Sequence, residues 1–196
     1  YSRYDALGEE KAVLSVLEAV EAVHQSLLEL DFDVTKVPLV PPLKQAEKEL
    51  RNPDFIGDLV FNLFEGFCGY PETEAVVPEI LSDMGIPFTG CPGPALRLAL
   101  DKAKTKLILK AAGINTPDFQ LLNPKTLRMF RLDYPCIVKP RCDDASNGIS
   151  AESVVHDFSA LERQVSAICD FYGGNAIVET FITGREFNAT VMGNSE

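Results

Sequence analysis

The residues of this chain whose type and placing could do chemistry are few and far apart. Lys139 ends the apolar run Pro135-Cys-Ile-Val-Lys139 and leads into a loop of small residues, Asp144-Ala-Ser-Asn-Gly148. A lysine at the end of a buried strand must escape to solvent or meet an anion, because burying an ammonium unpaired is costly. Loops of Ala, Ser and Gly let main-chain N–H groups approach phosphate oxygens closely. The pair of features suits a phosphate-bearing ligand, and it equally suits a lysine that snorkels to water beside an ordinary turn. Lys102 lies in Asp101-Lys-Ala-Lys-Thr-Lys106, which by itself reads as the solvated face of a helix. Glu179 falls inside an apolar strand and needs a partner there, whereas Glu186, across the turn Thr183-Gly184, could simply be exposed.

Other chemistries are poorly supported. No G-x-G-x-x-G, no G-x-x-x-x-G-K-[ST] and no G-x-S-x-G occurs, so a dinucleotide fingerprint, a P-loop and a hydrolase elbow are not indicated. The five cysteines (Cys68, Cys91, Cys136, Cys142 and Cys169) form no C-x-x-C pair, and His24 and His156 stand alone. That spread argues against a zinc site or a disulfide framework and for reduced thiols in a cytoplasm. A formal charge of −11 argues against nucleic acid or an anionic membrane as partner and is compatible with a small substrate. No apolar run approaches the ~20 residues of a membrane span.

The elements that must position these residues can be read from periodicity. Gly8 to Asp31 carries apolar residues at Val13, Leu17, Val20, Val23 and Leu27, the spacing of an amphipathic helix. A strand is expected over Val34 to Val40, then a polar helix opened by Pro41 and Pro42. Asp58 to Phe64 reads as a buried parallel strand, followed by a helix over Glu72–Met84 and a strand over Ile86–Thr89. This alternation implies an α/β layer with a parallel sheet. A helix is expected over Pro94–Ala112, with Gly113 as its C-cap and Pro117 just beyond. Strands follow at Phe119–Leu122, Tyr134–Lys139, Ala176–Ile182 and Glu186–Met192. Ser159-Ala-Leu-Glu162 reads as a capping box opening a helix to about Tyr172.

Taken in order and spacing, four segments resemble the D-alanine–D-alanine ligases and related ATP-grasp ligases. They are Gly85-Ile-Pro-Phe-Thr-Gly90; Leu100-Asp-Lys-Ala-Lys-Thr-Lys106 with the exit turn through Pro117; Ile137-Val-Lys-Pro140 with Asp143–Ile149; and Val178-Glu-Thr-Phe-Ile-Thr-Gly-Arg-Glu-Phe187. The resemblance implies an N-terminal parallel-sheet domain of Rossmann-like, pre-ATP-grasp kind over residues 1–92. A central ATP-grasp subdomain over 93–182 and the start of a C-terminal subdomain over 183–196 would follow. It further implies a carboxylate–amine ligase in which ATP converts a carboxylate to an acylphosphate that an amine then attacks. By the same likeness Lys102 and Lys139 are phosphate lysines, and Asp143–Ile149 is a mobile loop over the triphosphate. Main-chain groups of Thr180, Phe181 and Ile182 read adenine, Glu179 accepts from its exocyclic amine, and Glu186 binds ribose hydroxyls.

Some positions depart from the family pattern. Glu65-Gly66 stands where His-Gly is usual, and Ala145-Ser146 where two serines are usual; by the likeness Glu65 and Ser146 are the candidate catalytic residues, on the substrate side of the site. Glu186-Phe-Asn188 has the spelling of the family's Glu-x-Asn metal motif but sits in the ribose segment. The magnesium acids of the family are expected beyond Glu196, which makes the sequence a fragment with no metal ligand of its own. A D-alanine-like amino acid as substrate, a cytoplasmic location and a homodimer are the remaining expectations from the likeness; the alternatives are a sister ligase for another amino acid or a peptide, and a nucleotide-binding ATP-grasp module without ligase activity.

Overall fold

The computed structural model describes residues 9–52, 57–67, 69–143, 146, 148–191 and 193, with the side chains of 9–15 left aside. The described residues fall into two compact units, one within Tyr1–Lys104 and Cys142–Asp144 and the other within Thr105–Arg141 and Ala145–Glu196.

The first unit is mostly helical. α1 (Glu9–Glu29) forms where the periodicity places a helix and ends where Asp31 turns left-handed, φ 61°. α2 (Leu43–Leu50) follows Pro42, whose extended backbone at the N-cap suits the fixed φ of proline. The helix expected over Glu72–Met84 opens as a 3-10 turn, Pro71–Ala75, before α3 (Val76–Asp83). Leu50, Val77, Ile80 and Leu81 are buried together, with Leu39, Val60, Phe64, Ile86 and Phe88 packed against them. The expected strands contract here to one parallel bridge, Val60 to Phe88, made by Val60 N–H to Pro87 O (2.9 Å) and Thr89 N–H to Val60 O (3.0 Å). Asn62 explains why pairing goes no further along that run. Its amide donates to Thr89 Oγ1 and its side chain turns back to accept from the Phe64 amide. Such local bonds compete with a ladder. Among the described residues Val34–Val40 forms no ladder; Pro38 lacks a donor, and Leu39 reaches the core from irregular chain.

The single helix expected over Pro94–Ala112 is two: α4 (Gly93–Leu100) and α5 (Lys102–Ala111). Asp101 between them is extended, at φ −85° and ψ 90°, and its carboxylate accepts from the Lys104 amide at 3.2 Å. An aspartate at this place is an N-cap, satisfying one of the orphan amides of the new helix. At the other end of α5, Gly113 (φ 76°) donates to Lys110 O and Ile114 to Leu109 O. That is a Schellman closure, which needs the left-handed residue that glycine supplies without strain.

The second unit is a four-stranded antiparallel sheet backed by a helix. β1 (Phe119–Leu122), β2 (Cys136–Pro140), β3 (Val154–Val155) and β4 (Ala176–Thr180) stand in the order β1-β4-β2-β3. α6 (Phe158–Tyr172) lies on one face and buries Leu161, Val165 and Ile168 against Leu122, Cys136, Val138, Ala176 and Val178. Because side chains alternate along a strand, this packing turns Phe119, Ile137, Lys139, Ile177 and Glu179 to the opposite face. Burial pushes the Cys136 thiol up from its usual range, with Asp133 nearby adding to the effect. The cap of α6 is Asp157, whose carboxylate accepts from the Ala160 amide at 2.8 Å, and not Ser159. Ser159 lies inside the helix and accepts from Arg163. Among the described residues Glu186–Val191 forms no strand.

Candidate functional site

The site grows out of sheet register. Glu179 is opposite Phe119 on β1 and Ile137 on β2, while Lys139 is opposite Ile177. Lys139 and Glu179 are therefore diagonal neighbours on one face, a spacing that long side chains can bridge. They do so: Lys139 Nζ donates to Glu179 Oε2 at 2.9 Å. The anion that a lysine leaving an apolar strand must find is thus a carboxylate of the next strand.

The partner of Glu179 is not single. Lys106, from α5, lies 3.4 Å from Oε1 of the same carboxylate and 5.6 Å from the centroid of the Phe119 ring. The side chains of Lys106 and Glu179 are 9% and 8% exposed, that of Lys139 24%. A carboxylate withdrawn from water between two ammonium groups satisfies the rule that buried charge is paired. The outer lysine keeps access to solvent. The arrangement offers a fixed acceptor, and beside it a cation with reach.

The other predicted residues are placed as follows. The amides of Thr180 and Phe181 are engaged by Asp118 O and Pro135 O, both at 3.0 Å. Ile182, next along the chain, is exposed, as are Thr183, Gly184 and Glu186. Ser146 is exposed and holds φ 60°, a left-handed conformation that few non-glycine residues adopt, with its carbonyl accepting from Ile149. Gly148 (φ 68°) lies against the Tyr172 ring, where an added Cβ would fall 2.7 Å from the hydroxyl oxygen. Asp144, Ala145 and Asn147 of the expected loop lie outside the described residues. Lys102 Nζ donates to the Asp143 carbonyl. Glu65 is exposed, beside Gly66 at φ 87°. The structure thus brings Lys139 and Glu179 into contact and sets Lys102 and Glu65 in the first unit.

Sequence reasoning passed over Lys106, which it left on a solvated helix face. The signal was present. Lys106 is four residues from Lys102, whereas Lys104 is two away and turned to another face, where its side chain is 67% exposed. Among the described residues no three His, Cys, Asp or Glu side chains converge as metal ligands. Among them also, no helix is long and apolar enough to cross a membrane.

Comparison with known proteins agrees with the motifs. Residues 108–196 match the family model described as D-ala D-ala ligase C-terminus. A D-alanine–D-alanine ligase of Cereibacter sphaeroides is 32% identical over 179 residues, covering 91% of this chain and 54% of the relative. A protein of Sinorhizobium fredii named Uncharacterized protein y4sG is 36% identical over 139 residues, or 70% of this chain and 40% of its own. Among solved structures, the D-alanine–D-alanine ligase of Helicobacter pylori superposes with a TM-score of 0.54 at 32% identity, over 64% of this chain and 37% of that one. By sequence and by structure the chain is similar to the D-alanine–D-alanine ligases, which are ATP-grasp ligases. It spans about half the length, or less, of the first curated relatives it matches, from 37% to 54%.

Proposed function

We propose that the whole protein is an ATP-dependent carboxylate–amine ligase joining D-alanine or a closely related amino acid, and that this chain carries part of its nucleotide site. The observation that supports this most is the Lys139–Glu179 pair on the sheet face opposite α6, with the second lysine behind it. In that reading ATP supplies the phosphoryl group that activates a carboxylate for attack by an amine.

The residues fit such a ligand by the chemistry of their donors and acceptors. Glu179, held from behind, accepts from the exocyclic amine of adenine. The Thr180 and Phe181 amides are already engaged, so the Ile182 amide and the Phe181 carbonyl are the main-chain groups left to read the ring edge. Lys139 neutralises phosphate charge, with its reach set by four methylenes and partial access to solvent. Lys102 is proposed as the second phosphate lysine and Glu186 as the ribose acceptor, both on the motifs. Ser146 and Glu65 are proposed to meet substrate on the same ground, and the division at residues 92/93 and 182/183 belongs to this reading, as does the parallel sheet of the N-terminal domain. Magnesium, which the family likeness implies, has no ligand set among the described residues.

The test is ADP release by the whole protein with Mg-ATP, measured with D-alanine, L-alanine, D-serine and no amino acid. ADP formation that rises with one of these amino acids, together with a dipeptide product, is expected. ATP binding without any amino acid-dependent turnover would leave a nucleotide-binding module and overturn the ligase.

A further inference from the structure

Glu179 faces two lysines with different freedom, and the difference has a use. Lys106 belongs to a helix, is 9% exposed, and has the Phe119 ring beside its ammonium; Lys139 is 24% exposed at the end of β2. Each takes one oxygen of the carboxylate, Oε1 for Lys106 and Oε2 for Lys139. Phe119 is itself the cross-strand partner of Glu179, so Lys106 rests on the residue next to the carboxylate it holds.

Resting on the ATP-site reading above, we propose that Lys106 is a positioning residue for nucleobase recognition. It holds Glu179 Oε1 throughout, so that Lys139 can turn from Oε2 to a phosphate without leaving a buried carboxylate unpaired. Removing one partner of a buried ion pair is far costlier than never having had the pair. With Lys139 alone, a phosphate and Glu179 would compete for one ammonium, and every gain at the phosphate would disorder the acceptor that faces the base. With Lys106 behind it, Oε2 is freed as Lys139 leaves, and it is the oxygen that accepts from the adenine amine. A guanine presents a carbonyl oxygen at that position and is repelled by the same carboxylate. Lys106 therefore supports selection of the base, although it touches no part of the nucleotide.

The test uses Lys106→Met, which keeps an apolar stem against Phe119, and Lys106→Arg, which keeps a cation, both in the whole protein. Lys106→Met is expected to raise the KM for ATP by about tenfold or more, the worth of one hydrogen bond to a charged group. Its kcat should change much less, its preference for ATP over GTP in kcat/KM should fall, and Lys106→Arg should recover much of both. A melting temperature lowered with KM and base preference intact would mean a merely structural lysine and overturns the proposal. If the wild-type protein neither binds nor turns over ATP, the ATP reading fails and this proposal falls with it. If the wild type uses ATP and Lys106→Met matches it in KM and preference, this proposal alone falls. Should Lys106→Met not fold, amine labelling of the wild type decides. Lys106 shielded both with and without ATP supports the proposal; labelling of Lys106 that rises on adding ATP overturns it.

Discussion

Replacing Lys139 by Ala should cost the whole protein far more activity than replacing Lys104 by Ala. The structure sets the two lysines in different surroundings. Lys139 Nζ, on a side chain 24% exposed, donates at 2.9 Å to a carboxylate that is 8% exposed, with the buried Ile177 opposite it on β4. Charge-assisted hydrogen bonds are strongest in such surroundings. A preorganised group of this kind that meets transferring phosphate is worth on the order of 10²–10³ in rate, or about 2.7–4 kcal/mol. Lys104 stands 3.6 Å from Asp101 Oδ2 in an i,i+3 pair, with its side chain 67% exposed. Pairs of that kind are worth about 0.5 kcal/mol at most after solvent screening, or roughly a twofold change. The assay is amino acid-dependent ADP release, read as kcat/KM for ATP, once circular dichroism and melting show that both variants fold. Equal losses in the two variants would refute a phosphate role for Lys139 and weaken the nucleotide site drawn around it.

Two further outcomes follow from local geometry. Asp157→Ala should destabilise the second unit by about 1 kcal/mol, the usual worth of an N-cap, whereas Ser159→Ala should stay within about 0.5 kcal/mol in the same urea titration, since Ser159 is an exposed first-turn residue that is not the cap; the reverse order would restore Ser159 as the cap. The Arg97 guanidinium, donating to both oxygens of Glu79 at 2.7 and 2.5 Å, holds that carboxyl below its ordinary value of 4.5. A depressed folded-state value means stability that is present above the unfolded pKa and lost as pH falls through the folded one. Arg97→Met should therefore lower the melting temperature at pH 7 by a small amount, the pair being more than a third exposed on its Arg97 side, and the gap to wild type should narrow as pH falls past 4.5 and close once pH passes the depressed folded value. A gap that is the same at pH 7 and pH 3 would show that the pair contributes nothing through Glu79 ionisation.

Much of the second unit was legible because its signals are local. Largely apolar runs of four to seven residues marked β1, β2 and β4, and Gly113 marked the end of α5 by the conformation it alone adopts cheaply. The cap of α6 was misplaced by two residues because Asp157 and Ser159 are both good cap residues, and only the helix axis decides which amides each can reach. The first unit was harder. Its apolar runs at Asp58–Phe64 and Ile86–Thr89 have the composition of strands, but Asn62 turns its bonds to Thr89 Oγ1 and the Phe64 amide, and Pro87 has no N–H with which to extend the ladder beyond Val60 and Phe88.

The candidate site divides along the same line. By itself the sequence determined that Glu179 needs a partner and that Lys139 needs an anion, because both sit in apolar strands where an unpaired charge is costly. It also determined the family likeness, which rests on ordered motifs. Only the tertiary structure decided that the two satisfy each other, and that Lys106 completes the set. Residues 106, 139 and 179 are brought together by an antiparallel register and by α5, which carries Lys106 to Glu179. Pairing between strands and the burial of one helix face depend on how distant segments pack, which no local pattern of residues encodes.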